Sequence, residues 1–184
     1  MPNGKNRSTI QEIIDLHFTD FTKITDAISG HNLGRPVAGP PELQSALADA
    51  AQKLSASELA EASAYYSSDI GIKDRELARE AVARFASSAR DLAAAKIPPL
   101  TAPQHPLASE LIALQGVQDT IEQLGMRVLS AEDLNAIYVT AYGSAADSEL
   151  RAMIAFHKSP TGQKCLQVAR AAGIKIAADS GLKS

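Results

Sequence analysis

The tripeptide Ser57-Glu58-Leu59 recurs as Ser148-Glu149-Leu150, an offset of 91 residues, and the register continues without a gap. Ala64, Tyr65, Tyr66, Ser68, Gly71 and Lys73 meet Ala155, Phe156, His157, Ser159, Gly162 and Lys164. Further on, Ala78-Arg79 meets Ala169-Arg170; going back, Glu42-Leu43-Gln44 meets Asp133-Leu134-Asn135. Alanine-rich helices produce chance matches, but Ser, Gly and Lys at fixed spacing do not arise from an alanine background. Self-similarity at one offset is the signature of a duplicated helical unit whose copies bury their apolar faces together. The expected organisation is one domain, residues 1–184, with an internal repeat over 9–96 and 107–178 and a proline-rich linker at 97–106. A half of roughly 90 residues is marginal by itself, so the halves are expected to share one core.

The expected fold class is all-α, about eight helices in two pseudo-repeated four-helix halves. Aromatic residues are 4% and Trp is absent, while Ala and Leu are abundant, which favours close-packed helices over sheets. Proline and glycine break the pattern at Gly30–Pro41 and at Ile97–Pro106, too densely for a helix interior. Thr9-x-x-Glu12 forms a capping box ahead of a stripe of Ile10, Ile14, His17, Phe21, Ile24 and Ile28. Pro41 opens a second helix to about Leu54. Ser55-x-x-Glu58 caps a third to about Ser67, and a fourth runs from about Asp69 to Lys96. In the second copy Leu107, Leu111, Leu114, Ile121 and Leu124 give the first stripe. Ser130 caps the next helix, Asp147 or Ser148 begins the third, and the last starts near Pro160.

The formal charge is −3 and the pI about 5.8, which argues against a general nucleic-acid binder. The charge is uneven. Arg151–Ser184 holds six cations and one acid, +5, leaving −8 elsewhere. The plain reading is a basic helix set beside acidic neighbours; the sharper one is an anionic partner or a self-association face. The single cysteine, Cys165, allows neither an intramolecular disulfide nor a cysteine metal cluster. No apolar run reaches the length of a membrane span. The start, Met1–Ser8, is polar and carries no signal peptide, so the chain as written is expected to be cytoplasmic, or exported if a leader has been trimmed.

The most distinctive segment is Ala155-Phe156-His157-Lys158-Ser159-Pro160-Thr161-Gly162-Gln163-Lys164. It reads as a helix junction. Ser159 is an N-cap residue with Pro160 at the first helical position, where a missing N–H costs nothing. Gly162 leaves room for close backbone approach. In the other copy Ser68 caps and Asp69 suits the positive end of the helix. The sharper reading is an anion site at a helix N-terminus, using Ser159, Thr161, Lys158 and Lys164. It is not a Walker A loop: the glycine spacing is wrong and Cys165 stands where Ser or Thr should follow the lysine.

The run from Tyr138 through Tyr142 and Glu149-Leu150 to Phe156, Ser159-Pro160, Gly162 and Lys164 resembles the bacterial Domain of Unknown Function family twenty-fifty-nine. The resemblance covers mainly residues 131–172 and extends weakly over 41–82. His157 stands where that family usually has Tyr. The resemblance implies a helical fold and a bacterial source and carries no activity with it.

No histidine pair has metal-ligand spacing. Among His17, His31, His105 and His157 none is followed by a metalloprotease-type Glu. His17 lies on an apolar stripe; His31 and His105 fall in the linkers. There is no nucleophile elbow and no dinucleotide fingerprint. Cys165 with His157 as base is the one nucleophile arrangement to weigh, but the residue matching Cys165 in the other copy is Asp74. Tyr138 and Tyr142, four apart on one helix face, are large amphipathic groups suited to a pocket or an interface. The reading is a binding or interaction module with no catalytic residues, metal or cofactor. Its candidate ligand or interface residues are Tyr138, Tyr142, His157, Ser159 and Lys164, and its partner is an unknown protein or a small molecule, neither nucleic acid nor membrane. The alternatives are a homodimer pairing through the Ile10–Ile28 stripe and an enzyme using His157 and Cys165.

Overall fold

The structure is a computed structural model and describes residues 45, 48–50, 52–93, 105–119 and 130–179. The expected helix over Ile10–Ile28, its capping box, the Gly30–Pro41 break, Pro98, Pro99 and Pro103, and Ile121 and Leu124 lie outside the described residues. Within them the fold is all-helical, with no strand among the described residues. Six helices have defined bounds: α1 Ala56–Tyr66, α2 Asp69–Ala93, α3 Pro106–Gln115, α4 Ala131–Tyr142, α5 Asp147–Lys158 and α6 Pro160–Asp179. Residues 48–50 and 52–53 are also helical.

The caps explain the boundaries. Ser55 and Glu58 form the expected capping box: Glu58 N–H donates to Ser55 Oγ at 3.3 Å and Ser55 N–H to the Glu58 carboxylate at 2.6 Å. At α5 the N-cap is Ala146, which has no side-chain acceptor, so only the return bond from Ala146 N–H to Glu149 exists, at 2.8 Å. Ser130 accepts from Asp133 N–H at 3.0 Å and starts α4. His105, read as a linker residue, is the N-cap of α3, its Nδ1 accepting weakly from Ala108 N–H at 3.4 Å.

One expected helix is shorter than its apolar stripe. α3 ends at Gln115 because Gly116 takes the left-handed conformation, φ +57°. The same glycine lets Arg170 in. A Cβ at position 116 would sit 1.5 Å from Arg170 Nη2, and that nitrogen donates to the carbonyl of Gln115 at 3.0 Å. A guanidinium thereby caps the negative end of α3.

α2 packs on α4 and α1, α3 on α5 and α4, α6 on α5 and α1, and α5 also meets α2. Buried residues from all six helices form one continuous apolar cluster, including Tyr66, Phe85, Leu111, Tyr142, Leu150 and Met153. Each such side chain contributes about 1.5–3 kcal/mol through its burial. The basic C-terminal stretch lies against acids from earlier in the chain: Lys158 pairs with Glu110 at 2.5 Å, Lys164 with Glu58 at 2.7 Å, and Lys175 with Asp49. Three of the six cations of that stretch are engaged in these internal pairs.

Candidate functional site

Two short segments, residues 65–74 and 156–165, build the polar centre of the molecule. Each is the end of one helix, a turn of two residues (Ser67 and Ser68) or one (Ser159), and the start of the next. Ser68 Oγ accepts from Gly71 N–H at 3.1 Å, and Ser159 Oγ accepts from Gly162 N–H at 3.0 Å. Ser68 N–H donates to Tyr65 O and Ser159 N–H to Phe156 O, both at 2.9 Å. The glycines are required by that carbonyl. A Cβ at Gly71 would lie 2.1 Å from Tyr65 O, and one at Gly162 would lie 2.0 Å from Phe156 O.

Contacts between the two helix pairs, α1–α2 and α5–α6, are reciprocal. Lys73 pairs with Glu149 at 2.5 Å while Lys164 pairs with Glu58 at 2.7 Å. The Tyr65 and Phe156 rings stack with centroids 3.6 Å apart and planes 6° from parallel. Tyr65 meets His157 edge-on at 6.1 Å, and Tyr66 meets Phe156 edge-on at 5.6 Å.

Between them lies Asp74, fully buried on the apolar stripe of α2 formed by Ile70, Leu77, Ala78, Ala81 and Phe85. Its carboxylate collects donors from four other helices. Oδ2 accepts from Tyr65 Oη at 2.7 Å and faces His157 Nε2 at 2.8 Å; Oδ1 accepts from Tyr142 Oη at 3.0 Å and more weakly from Gln115 Nε2 at 3.4 Å. Gln115 Nε2 also donates to Tyr142 Oη at 3.1 Å. Burial would raise the Asp74 pKa. The adjacent His157 charge and the bonds from His157, Tyr65 and Tyr142 outweigh it and hold the carboxyl below its ordinary range. An ionised carboxylate at Oδ2 makes Nε2 the protonated nitrogen of His157. Burial and the nearby Asp74 charge push both Tyr65 and Tyr142 well above the normal phenol range, so both hydroxyls stay donors.

Of the residues singled out in the sequence, Tyr142 and His157 meet at Asp74. Tyr138 lies one turn before Tyr142 on α4 and is buried. Ser159 and Lys164 sit apart from that cluster, at the α5–α6 junction. There Ser159 Oγ accepts from Gly162 N–H, Thr161 Oγ1 donates to Glu61 at 2.5 Å, and Lys158 and Lys164 are held by Glu110 and Glu58. A carboxylate at the start of α6 opposes an incoming anion. Cys165 is 1% exposed, and burial, with the Glu58 and Glu61 charges, pushes its thiol up to about 12. His157 faces Asp74 through Nε2. Asp74 and Gln115 were not among the candidates. The signal for Asp74 was readable: an acid in helical register with Ile70, Leu77, Ala78, Ala81 and Phe85. Gln115 carried no such mark.

Residues of α3, of the stretch just after it and of α4 frame a cavity of about 310 Å³ lined by Ile112, Gly116, Val117, Leu134 and Asn135 among others. No group of three or more His, Cys, Asp or Glu side chains among the described residues is arranged to hold a metal ion. No helix among them is long and apolar enough to cross a membrane. No family model matches the chain, and no curated protein or solved structure matches it.

Proposed function

We propose that the protein is a helical binding or interaction module without catalysis of its own, built from two pseudo-repeated halves around one core. The observation that carries this reading is the Asp74 cluster: the groups best suited to chemistry are buried and bonded to one another. Asp74 takes donors from Tyr65, Tyr142, Gln115 and His157. Removing any partner would leave a buried charge short of a donor, so the network holds five helices in register. The duplication is supported by the matched junctions and by the reciprocal pairs Lys73–Glu149 and Lys164–Glu58, each of which maps onto the other at the 91-residue offset. The resemblance of residues 131–172 to the bacterial family named above fits a helical module.

A ligand, on this reading, sits between helices, and the cavity of about 310 Å³ is at the lower end of the size that takes a small molecule. Native mass spectrometry of the purified protein tests this. Extra mass on the folded species that is lost on denaturation identifies a bound molecule. A bare monomer leaves a protein partner. A dimer that disappears on deleting residues 1–30 favours the self-associating alternative. The enzyme alternative needs an accessible, acidic thiol, and Cys165 is neither. Its revival would take rapid modification of Cys165 in the folded protein near neutral pH.

A further inference from the structure

We propose that the Asp74–His157 pair makes the two halves of this chain pack on each other rather than each on a like half of a second copy. The inference rests on the duplicated reading above. At the 91-residue offset the contact between halves has two equivalent places. One holds Asp74 and His157, both fully buried, with Nε2 2.8 Å from Oδ2. The offset assigns the other to Cys165 and Tyr66, both buried, 1% and 0% exposed.

Two other elements of the contact are interchangeable, whereas the Thr161–Glu61 bond, whose counterparts at the offset are Ile70 and Ala152, is not. Glu58 and Glu149 carry the same charge, as do Lys73 and Lys164, and Tyr65 stacks on Phe156 as ring on ring. These groups would serve a pairing of like halves as well as the pairing of unlike ones. The buried pair would not. Two α1–α2 halves would set Asp74 opposite Tyr66 at both places, giving two buried carboxylates and no imidazole. Two α5–α6 halves would set Cys165 opposite His157, with no carboxylate for Nε2. A buried charge without its partner is strongly unfavourable, and a single buried polar pair is a known means of fixing which surfaces associate. The groups facing Asp74 from the neighbouring helices are His157 of α5, Tyr65 of α1, Gln115 of α3 and Tyr142 of α4. Gln115 and Tyr142 come from the second half like His157, and the offset puts Ile24 and Ala51 in their positions, so a pairing of like first halves would strip Asp74 of those donors too.

The test is sedimentation velocity on the full chain. D74C/H157Y puts Cys and Tyr at both places. It should raise the self-association constant by about tenfold or more over the wild type, a change of about 1.4 kcal/mol. Adding Y66H and C165D to that variant moves the pair to the other place and should lower association again toward the wild-type level, by less than the full amount because Phe156 offers no hydroxyl where Tyr65 does. If D74C/H157Y loses its helical circular dichroism, D74N/H157Q removes the carboxylate and the imidazole at similar size and is expected to associate in the same way. A folded variant that associates no more than the wild type overturns the proposal. The underlying duplication is read separately. If C165D destabilises the chain equally with and without Y66H, the duplicated reading fails. If the two substitutions are coupled but association is unchanged, the specificity proposal alone fails.

Discussion

Residues 65–74 and 156–165 share a backbone and differ inside it. Both end a helix, turn on a serine, and bring a glycine under the carbonyl of residue 65 or 156. Both send out a lysine, Lys73 to Glu149 of α5 and Lys164 to Glu58 of α1. Yet one ends in Asp74 and the other in Cys165, and where one has Tyr66 the other has His157. The difference separates two kinds of constraint. Turn geometry fixes Gly because a Cβ does not fit the space, and selects Ser because its hydroxyl caps the next helix. The interior tolerates change, provided that a polar group, once placed, finds all its partners.

The sharpest way to break the comparison is to remove the partner of the buried charge. His157→Ala leaves Asp74 buried beside a void and should cost about 3–5 kcal/mol in urea unfolding, while Cys165→Ala, at the position matching Asp74, removes no charge or partner and should cost far less. The same contrast appears on acidification. The Asp74 pKa is lowered in the folded state, so its contribution is present above the unfolded value near 3.8 and is lost as pH falls through the folded value. Asp74→Asn should flatten that acid limb in a pH series of unfolding midpoints.

The two glycines should behave alike. Gly71→Ala and Gly162→Ala each force a methyl onto a backbone carbonyl, and each should lower stability by up to about 3 kcal/mol. A large effect at one and none at the other would mean that the junctions are not built alike. Tyr142→Phe removes one donor from Asp74 and should cost about 2 kcal/mol, measured by the same unfolding. The smallest effects belong to the rim. Lys73→Met and Lys164→Met break partly exposed pairs, should each cost less than about 1 kcal/mol, and should differ little from one another in high salt.

Much of this was legible before any coordinates. Ser55, Ser130 and Ser159 announced helix starts, and the offset tied residues 65–74 to 156–165. The stripe of Leu107, Leu111 and Leu114 did not reveal that its helix stops at Gln115. A glycine within an apolar pattern is ambiguous until Arg170, 54 positions on, is seen to occupy the space its missing side chain leaves. The candidate site was half legible. Tyr142 and His157 stood out as large polar groups in an aromatic-poor chain, but periodicity treats Asp74 as an error in a stripe rather than as the acceptor four helices converge on. Ser159 and Lys164, the most conspicuous residues in the sequence, turned out to be engaged by Gly162 and Glu58. Sequence spacing reports helix ends well. It does not report which side chains from separate helices share one buried acceptor.

The most direct test of the account is a double-mutant cycle on Asp74→Asn and His157→Gln, followed by chemical unfolding of the full chain. The account predicts a coupling of about 2 kcal/mol or more, with the double variant much less unstable than the two single changes combined. Additivity within about 0.5 kcal/mol would mean that the pair does not hold the helices together, and the buried cluster would lose its place as the centre of this fold.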